Sequence, residues 1–431
     1  MLSSNITVGE TGHLHFAGHD TVALAQQYGT PLYVMDEARI RSNMRMYLQA
    51  FQTHFGPGSK PLYASKANCF KRIYEIAREE GMGIDVVSSG EVYTALKANF
   101  PLSEAYFHSN NKTDWDIAFA MENGIGYFVV DNREELDAIN EIAGQKGLQQ
   151  PILLRLTPGI DPHTYEAVAT GKVDSKFGTA IETGQALEMV RYTLGLSNIA
   201  LKGFHCHVGS QVFGEDIYER ASDIMLEFMA QCRDCFGVTL PKLDMGGGYG
   251  VRYVDSDGFV DIPAAIGRVA AHMKAKCAEL GMELPLISME PGRSIVADAG
   301  MTLYSVGTIK KITGYKNYVS VDGGMTDNPR YALYGSRYTV YLASRPNDEK
   351  NLTADVVGRC CESGDTIQPN VQLPEPRRRE ILAVATTGAY NYSMASNYNR
   401  VTRPATVMVT PETSYIAVKR ESLEDLIRND V

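Results

Sequence analysis

Apolar residues along the 431-residue chain recur in two rhythms, and the change between them falls near Gly300. Before it, short apolar runs at 61–65, 84–87, 105–107, 127–130, 152–156, 201–206, 240–245 and 285–289 read as buried strands. Between them lie stretches with helical spacing, among them 70–80, 91–99, 134–145, 180–194, 216–236 and 263–280. Eight strands alternating with helices over about 230 residues is the size of a (β/α)8 barrel. The pattern shows alternation and not closure, so a doubly wound open sheet fits it as well. After Gly300 the runs at 303–309, 318–321, 338–343, 354–357, 380–385, 406–409 and 414–418 are rich in β-branched residues and divided by Gly, Pro and Asn. That texture predicts an antiparallel β domain. Ahead of the first barrel strand come a polar, turn-rich lead, a strand at 31–36 and a helix from Glu37 to about Phe55. Residues 373–379 read as a solvated polar loop and 421–426 as a short closing helix.

Composition narrows the class. A chain of this length predicts two domains. Hydrophobic content of 44% and charged content of 21% are those of a soluble globular protein. The start of the chain has no basic, apolar leader, and no apolar run nears the roughly 20 residues of a membrane span. A net charge of -10 argues against a nucleic-acid surface. Seven scattered cysteines fit reduced thiols in a cytoplasmic protein. Cys232 and Cys235 form a C-x-x-C inside a helical stretch, with no second pair nearby, and read as helix-packing residues.

Candidate chemistry gathers where barrel strands end. Lys66, Ser88, His108, Asp131, Arg155, His207, Gly246–Gly248 and Glu290 each follow a strand, the end at which barrels carry their sites. Lys66 is the only charge in Pro61-Leu-Tyr-Ala-Ser-Lys-Ala-Asn68. An ammonium against apolar walls has a lowered pKa, and its neutral amine condenses with carbonyls. Taken alone, it reads better as a strand-end lysine that simply reaches solvent. Gly246-Gly-Gly248 leaves the seventh strand, and the loops after strands 7 and 8 are the usual phosphate site of a barrel. No nucleotide fingerprint accompanies it. His205 and His207 share a strand face, which suits a metal with help from Asp85, His108 or Glu290, or an imidazole stacked on a flat cofactor. Glu290-Pro-Gly-Arg293 offers a carboxylate for a pyridine nitrogen and a guanidinium fork for an anion, or simply a strand-end ion pair.

Taken together, Tyr63-Ala-Ser-Lys-Ala-Asn68, His205-Cys-His-Val-Gly-Ser-Gln211, Gly246-Gly-Gly248, Glu290-Pro-Gly-Arg293, Cys361-Glu-Ser-Gly-Asp365 and Gly388-Ala-Tyr-Asn-Tyr-Ser-Met-Ala-Ser-Asn-Tyr398 follow one another in a familiar order. From about residue 30 to the C-terminus the chain resembles the pyridoxal-phosphate decarboxylases of the alanine-racemase-like fold, most closely the diaminopimelate decarboxylases. The resemblance implies an N-terminal segment (1–36) joining a β domain (301–431), around a pyridoxal-phosphate-binding barrel (37–300). It implies decarboxylation of meso-2,6-diaminopimelate to L-lysine, with a related diamino acid such as D-ornithine or D-lysine as the alternative substrate. Lys66 resembles the Schiff-base lysine and His207 the ring-stacking histidine. Ser210, Gly247, Gly248 and Tyr390 resemble the phosphate and cofactor contacts, and Glu290 the pyridine-nitrogen partner. Arg293, Arg330 and Tyr334 resemble substrate-carboxylate binders, with Arg293 and Tyr390 shared between cofactor and substrate. Cys361 resembles the proton donor and Glu362 the ligand of the distal amine, both supplied by the partner of a head-to-tail homodimer. No metal is implied. Two features depart from the family pattern: Gly358-Arg-Cys-Cys361 holds an arginine and a doublet of cysteines, and Asn328-Pro-Arg330 changes the usual Arg-Pro order while keeping Tyr334 four residues on.

Overall fold

The structure, a computed structural model, describes residues 1–160, 175–214 and 216–431. It divides into two compact units. One comprises residues 43–250 and 259–292, the other residues 1–42, 251–258 and 293–431.

The first unit is a closed barrel. Its strands are β1 (Lys60–Ala64), β2 (Gly83–Val86), β3 (Ala105–Phe107), β4 (Tyr127–Val130), β5 (Gln150–Thr157), β6 (Ile199–His205), β7 (Lys242–Asp244) and β8 (Leu286–Met289). Each pairs in parallel with the next, and β8 returns to β1 through Ser288–Lys60 and Met289–Pro61. Closure decides between the two readings the pattern allowed. The strands are near-continuous apolar runs because helices cover their outer faces and side chains fill the lumen. Leu62, Tyr106, Val129 and Leu153 form one buried cluster. Near the N-terminal strand ends the Tyr106 and Tyr127 rings stack at 4.5 Å, and Lys242 Nζ donates to the Tyr106 hydroxyl at 3.1 Å. Two details differ from expectation. Residues 179–180 form a short strand beside β5, so the helix there starts only at Gln185. The helix Asp114–Glu122 had no counterpart in the pattern; it opens on a reciprocal capping box between Thr113 and Asp116.

Polar residues at the strand ends serve two purposes. Ser88 caps the helix Ser89–Lys97 by accepting from the Glu91 N–H, so it belongs to the scaffold. Asp131 accepts from the Gly178 N–H and lies 3.8 Å from Arg155, whose guanidinium covers the Phe177 ring. Buried Lys112 ties the loop after β3 to Glu135 at 2.7 Å and to the carbonyls of Ser109 and Val129.

The second unit is built on a strand of 13 residues, Gly300–Ile312. The N-terminal strand Leu32–Asp36 pairs beside it antiparallel, and Ala405–Val409 lies parallel to Leu32–Asp36. Ile381–Ala385 and Lys316–Val321 also pair with Gly300–Ile312 antiparallel. The unit's pairing is mainly antiparallel, with Lys316–Val321 against Leu352–Val357 as the other parallel pair. Leu14, Phe16, Leu24, Leu32, Val34, Met301, Leu303, Ala383 and Val407 share its core. Beneath the turn that leads into the short helix Arg330–Tyr334, buried Asp327 accepts from the Tyr304 hydroxyl and the Gly324 N–H, and its carbonyl accepts from the Tyr33 hydroxyl. Among the described residues no helix is long and apolar enough to cross a membrane, and all seven cysteines are free.

Candidate active site

β1 leads into a 3-10 turn, Ser65–Ala67, and Lys66 is the only exposed residue of 61–68. The turn is held from both sides. The Tyr63 hydroxyl donates to the Asn68 carbonyl at 2.8 Å, and the Ala64 N–H to the Pro291 carbonyl at 3.1 Å. A side chain at Gly292 would press on Ala64 and Ala67 at 2.9 Å, so glycine there lets the two strand ends meet. The pattern predicted apolar walls around Lys66. The mouth is polar instead, and Asp85 and Glu91 both feel the Lys66 charge.

At the centre of the mouth is buried Glu290. Its Oε1 lies 2.6 Å from His108 Nε2 and its Oε2 lies 3.2 Å from His205 Nε2. Burial pushes the Glu290 carboxyl up, yet the two imidazoles outweigh it and hold Glu290 well below the usual carboxylate range. Its neighbours go the other way. Burial, with Glu290 as the next cause, raises Asp244 well above its ordinary value. Burial raises Asp85 to about 6 despite the pull of His108. Burial thus moves Asp244 and, less far, Asp85 toward the neutral form, while Glu290 stays an anion.

The glycine turn is stitched between β6 and β8. The Gly246 N–H donates to Asp244 Oδ1 at 2.9 Å, and the Glu290 N–H to the Gly246 carbonyl at 2.9 Å. A Cβ on Gly247 would collide with the Glu290 carbonyl, and one on Gly248 with that of Gly209. Nothing larger than glycine fits, and what the turn offers a ligand is backbone. Gln211, beside half-buried Ser210, has φ 63°, and Ser109, next to His108, has φ 135°. Such conformations persist where the surroundings over-determine them. His205 and His207 serve different partners: His205 reaches Glu290, whereas His207 stands against Gly246. Burial, and then the nearby Lys66 charge, lower the His207 pKa well below its ordinary value, so its ring is neutral. His108, His205 and Glu290 form a trio of the kind that could ligate a cation. Here His205 Nε2 is hydrogen-bonded to one carboxylate oxygen and His108 Nε2 lies 2.6 Å from the other without hydrogen-bonding alignment, and His207 is not a member.

The second unit has its own polar cluster. Buried Arg293 donates to the Tyr253 hydroxyl at 2.7 Å. Its guanidinium lies 4.8 Å from the centroid of the Tyr390 ring, and that of Arg330 lies 5.2 Å from the same ring and 5.2 Å from that of Tyr334. Tyr390 holds φ 61°, a left-handed conformation uncommon for an aromatic residue. Arg330 is 6% exposed, and among the described residues its Nε has no partner and its guanidinium donates once, at 3.3 Å, to the Ser336 hydroxyl. Tyr253 and Tyr338 complete the cluster, and no motif in the sequence singled them out.

In the same unit Asp365 builds the cysteine loop. Its carboxylate accepts from the N–H groups of Met325 and Cys360 at 2.6 and 2.7 Å, and side chains on Gly324 or Gly358 would collide with it. Burial and the adjacent Asp365 push the Cys360 thiol up to about 11. Cys361 and Glu362 are exposed.

An amine, a neutral imidazole, a lone carboxylate and a glycine cradle are the donors that a phosphorylated pyridine aldehyde requires, and the barrel brings all four to one mouth. Residues 37–297 match the model of the pyridoxal-binding domain of pyridoxal-dependent decarboxylases. A diaminopimelate decarboxylase of Bacillus methanolicus is 42% identical over 96% of this chain and 96% of its own. The crystal structure of the M. jannaschii diaminopimelate decarboxylase with L-lysine superposes with a TM-score of 0.90, at 30% identity, over 99% of this chain and 98% of that one. A lysine/ornithine decarboxylase of Vibrio vulnificus with putrescine reaches 0.75, at 26% identity, over 90% of this chain and 96% of that one. Matched from end to end in sequence and in fold, the chain belongs to the diaminopimelate decarboxylase family of pyridoxal-dependent enzymes.

Proposed function

We propose that the protein decarboxylates meso-2,6-diaminopimelate at its D centre, giving L-lysine and CO2. When bound, pyridoxal phosphate supplies the electron sink for the pair left on Cα as CO2 departs. Lys66 would anchor that cofactor, Gly247, Gly248 and Ser210 would serve its phosphate, and Tyr390 would be a further contact. His207, neutral, would serve its ring, and Glu290, ionised, would keep its ring nitrogen protonated. Cys361 returns a proton to Cα, and Glu362 receives the distal ammonium, both from the partner subunit of a homodimer. Retained thiols suit a cytoplasmic enzyme.

The observation that carries the substrate reading is Arg330. Among the described residues no carboxylate pairs with this buried guanidinium, which is costly unless a ligand supplies one. Diaminopimelate has a carboxylate at its far end, whereas ornithine and lysine end in an amine alone. Arg293 and Tyr334 belong to the same receptor. A site built for that carboxylate discriminates against substrates lacking it, because its own polar groups are then left unmet. Arg330→Ala is expected to lose at least tenfold more kcat/KM on diaminopimelate than on D-lysine, about the value of one charge-assisted hydrogen bond. An unmutated enzyme that turns over D-lysine or D-ornithine better than diaminopimelate would assign the arginines to the phosphate or the fold.

A further inference from the structure

Resting on the assignment of Glu290 to the cofactor's ring nitrogen, we propose that His108 and His205 are positioning residues, a two-imidazole clamp that orients the Glu290 carboxylate toward that nitrogen. The geometry is specific. Each carboxylate oxygen has its own imidazole, at 2.6 Å for His108 and 3.2 Å for His205, and in both cases the contact runs through Nε2. The rings meet edge to face, with centroids 4.8 Å apart and planes at 68°, so neither can swing without displacing the other.

The clamp is anchored from outside. The His108 N–H donates to the Val86 carbonyl at 2.8 Å, and Lys112, buried on Glu135, holds the rest of the loop after β3. His205 is the last residue of β6, where the ladder to β5 and β7 fixes its backbone. His205 Nδ1 is buried without a partner, as expected of a neutral ring whose single N–H is spent on Glu290. Such a device has a purpose here. A lone carboxylate among Asp85 and Asp244 would otherwise share a proton with them, and a protonated Glu290 cannot hold a pyridinium. One N–H donor from His205 on the first oxygen, and the His108 ring held 2.6 Å from the second, favour the charged form and leave lone pairs for the ring nitrogen.

The test compares binding of two cofactors to the full-length chain after stripping and reloading: pyridoxal phosphate and its 1-deaza analogue, in which carbon replaces the ring nitrogen. Only the first gives Glu290 anything to meet. The unmutated protein is expected to prefer it. His108→Leu and His205→Leu should each lower that preference roughly tenfold, the value of one close polar contact to a charged group. The affinity for the deaza analogue should hold within about threefold, which also reports that the variants are folded. His108→Gln and His205→Gln, whose amide nitrogen takes the place of Nε2, should keep most of the preference. Equal weakening of both ligands in the Leu variants, or an unchanged preference in them while Glu290→Gln abolishes it, overturns the clamp. If Glu290→Gln leaves the preference intact, the assignment of Glu290 fails and the clamp fails with it.

Discussion

Lys66 is exposed among buried neighbours and Cys361 lies in an exposed stretch, so the side chains assigned to the chemistry can be removed without opening the core. Lys66→Ala is expected to abolish turnover, with a melting temperature within about 2 °C of the parent's, since surface truncations typically change stability by under 0.5 kcal/mol. A large drop in melting temperature would mean that the lysine is part of the scaffold. The cysteine doublet is a place where the sequence was only partly legible. Spacing to Asp365 points to Cys361, and in the fold Asp365 takes the Cys360 N–H and stands beside its thiol, raising it to about 11 and away from the near-neutral pKa suited to proton return. Cys361→Ala should lower kcat by ~100-fold or more, the usual worth of a general acid, while Cys360→Ala should retain most of it. Similar losses in both would return the role to the pair. Asp327 went unnoticed because an isolated acid in a turn looks solvated. Burial raises it to about 7 despite the Tyr304 hydroxyl, whereas an unfolded aspartate releases its proton near ~3.9. Between those values the folded chain binds the extra proton, so stability is full at low pH and falls as pH rises, by up to about 1.4 kcal/mol per unit. Asp327→Asn should flatten that slope in urea midpoints measured from pH 5 to pH 8. Parallel slopes for variant and parent would refute it.

At the scale of elements, all eight barrel strands were visible as apolar runs, because strands covered on both faces carry no polar interruption. The strand Thr366–Leu373 was missed for the opposite reason. Pro369 and Asn370 break its run, and Asn370 adopts φ 53°, its N–H donating to Asp355. The three strands of 6–8, 14–16 and 19–20 are too short for any alternation to show. Closure was not legible either, since it depends on β8 finding β1 228 residues away. One glycine bears directly on the site. β6 shifts register between Leu201 and Gly203, and a Cβ on Gly203 would collide with the Lys242 carbonyl of β7. Gly203→Ala must spread the strands that carry His205 and the glycine turn, and is expected to cost at least about 2 kcal/mol. Gly90→Ala is the control. Gly90 is an exposed helical residue whose added Cβ meets nothing nearer than Ser88 Oγ at 3.6 Å, so the change should be neutral or stabilise by up to ~1 kcal/mol. Equal denaturant midpoints for the two variants would show that the strands yield without cost.

For the whole molecule, the question is how many chains make one site. Cys361 and Glu362, the two residues assigned to proton return and to the distal amine, sit exposed on a loop braced by Asp365 and the Asn399 side chain, which accepts from the Cys361 N–H at 2.9 Å. A braced, exposed loop suits delivery to a second copy of the chain. If each site takes Lys66 from one subunit and Cys361 from the other, the two lesions can be separated. In a dimer of one Lys66→Ala chain and one Cys361→Ala chain, one site collects both lesions and the other collects neither. Random exchange makes half the dimers mixed, so a one-to-one mixture of two inactive variants should recover about a quarter of the parent's activity. A double variant carrying both changes on one chain, mixed with the parent, provides the contrast. Each of its mixed dimers holds one lesion per site and both sites are dead, so activity should fall below the half expected from dilution, again to about a quarter. If exchange is demonstrated by subunit tagging and the first mixture stays inactive while the second keeps half, each chain completes its own site.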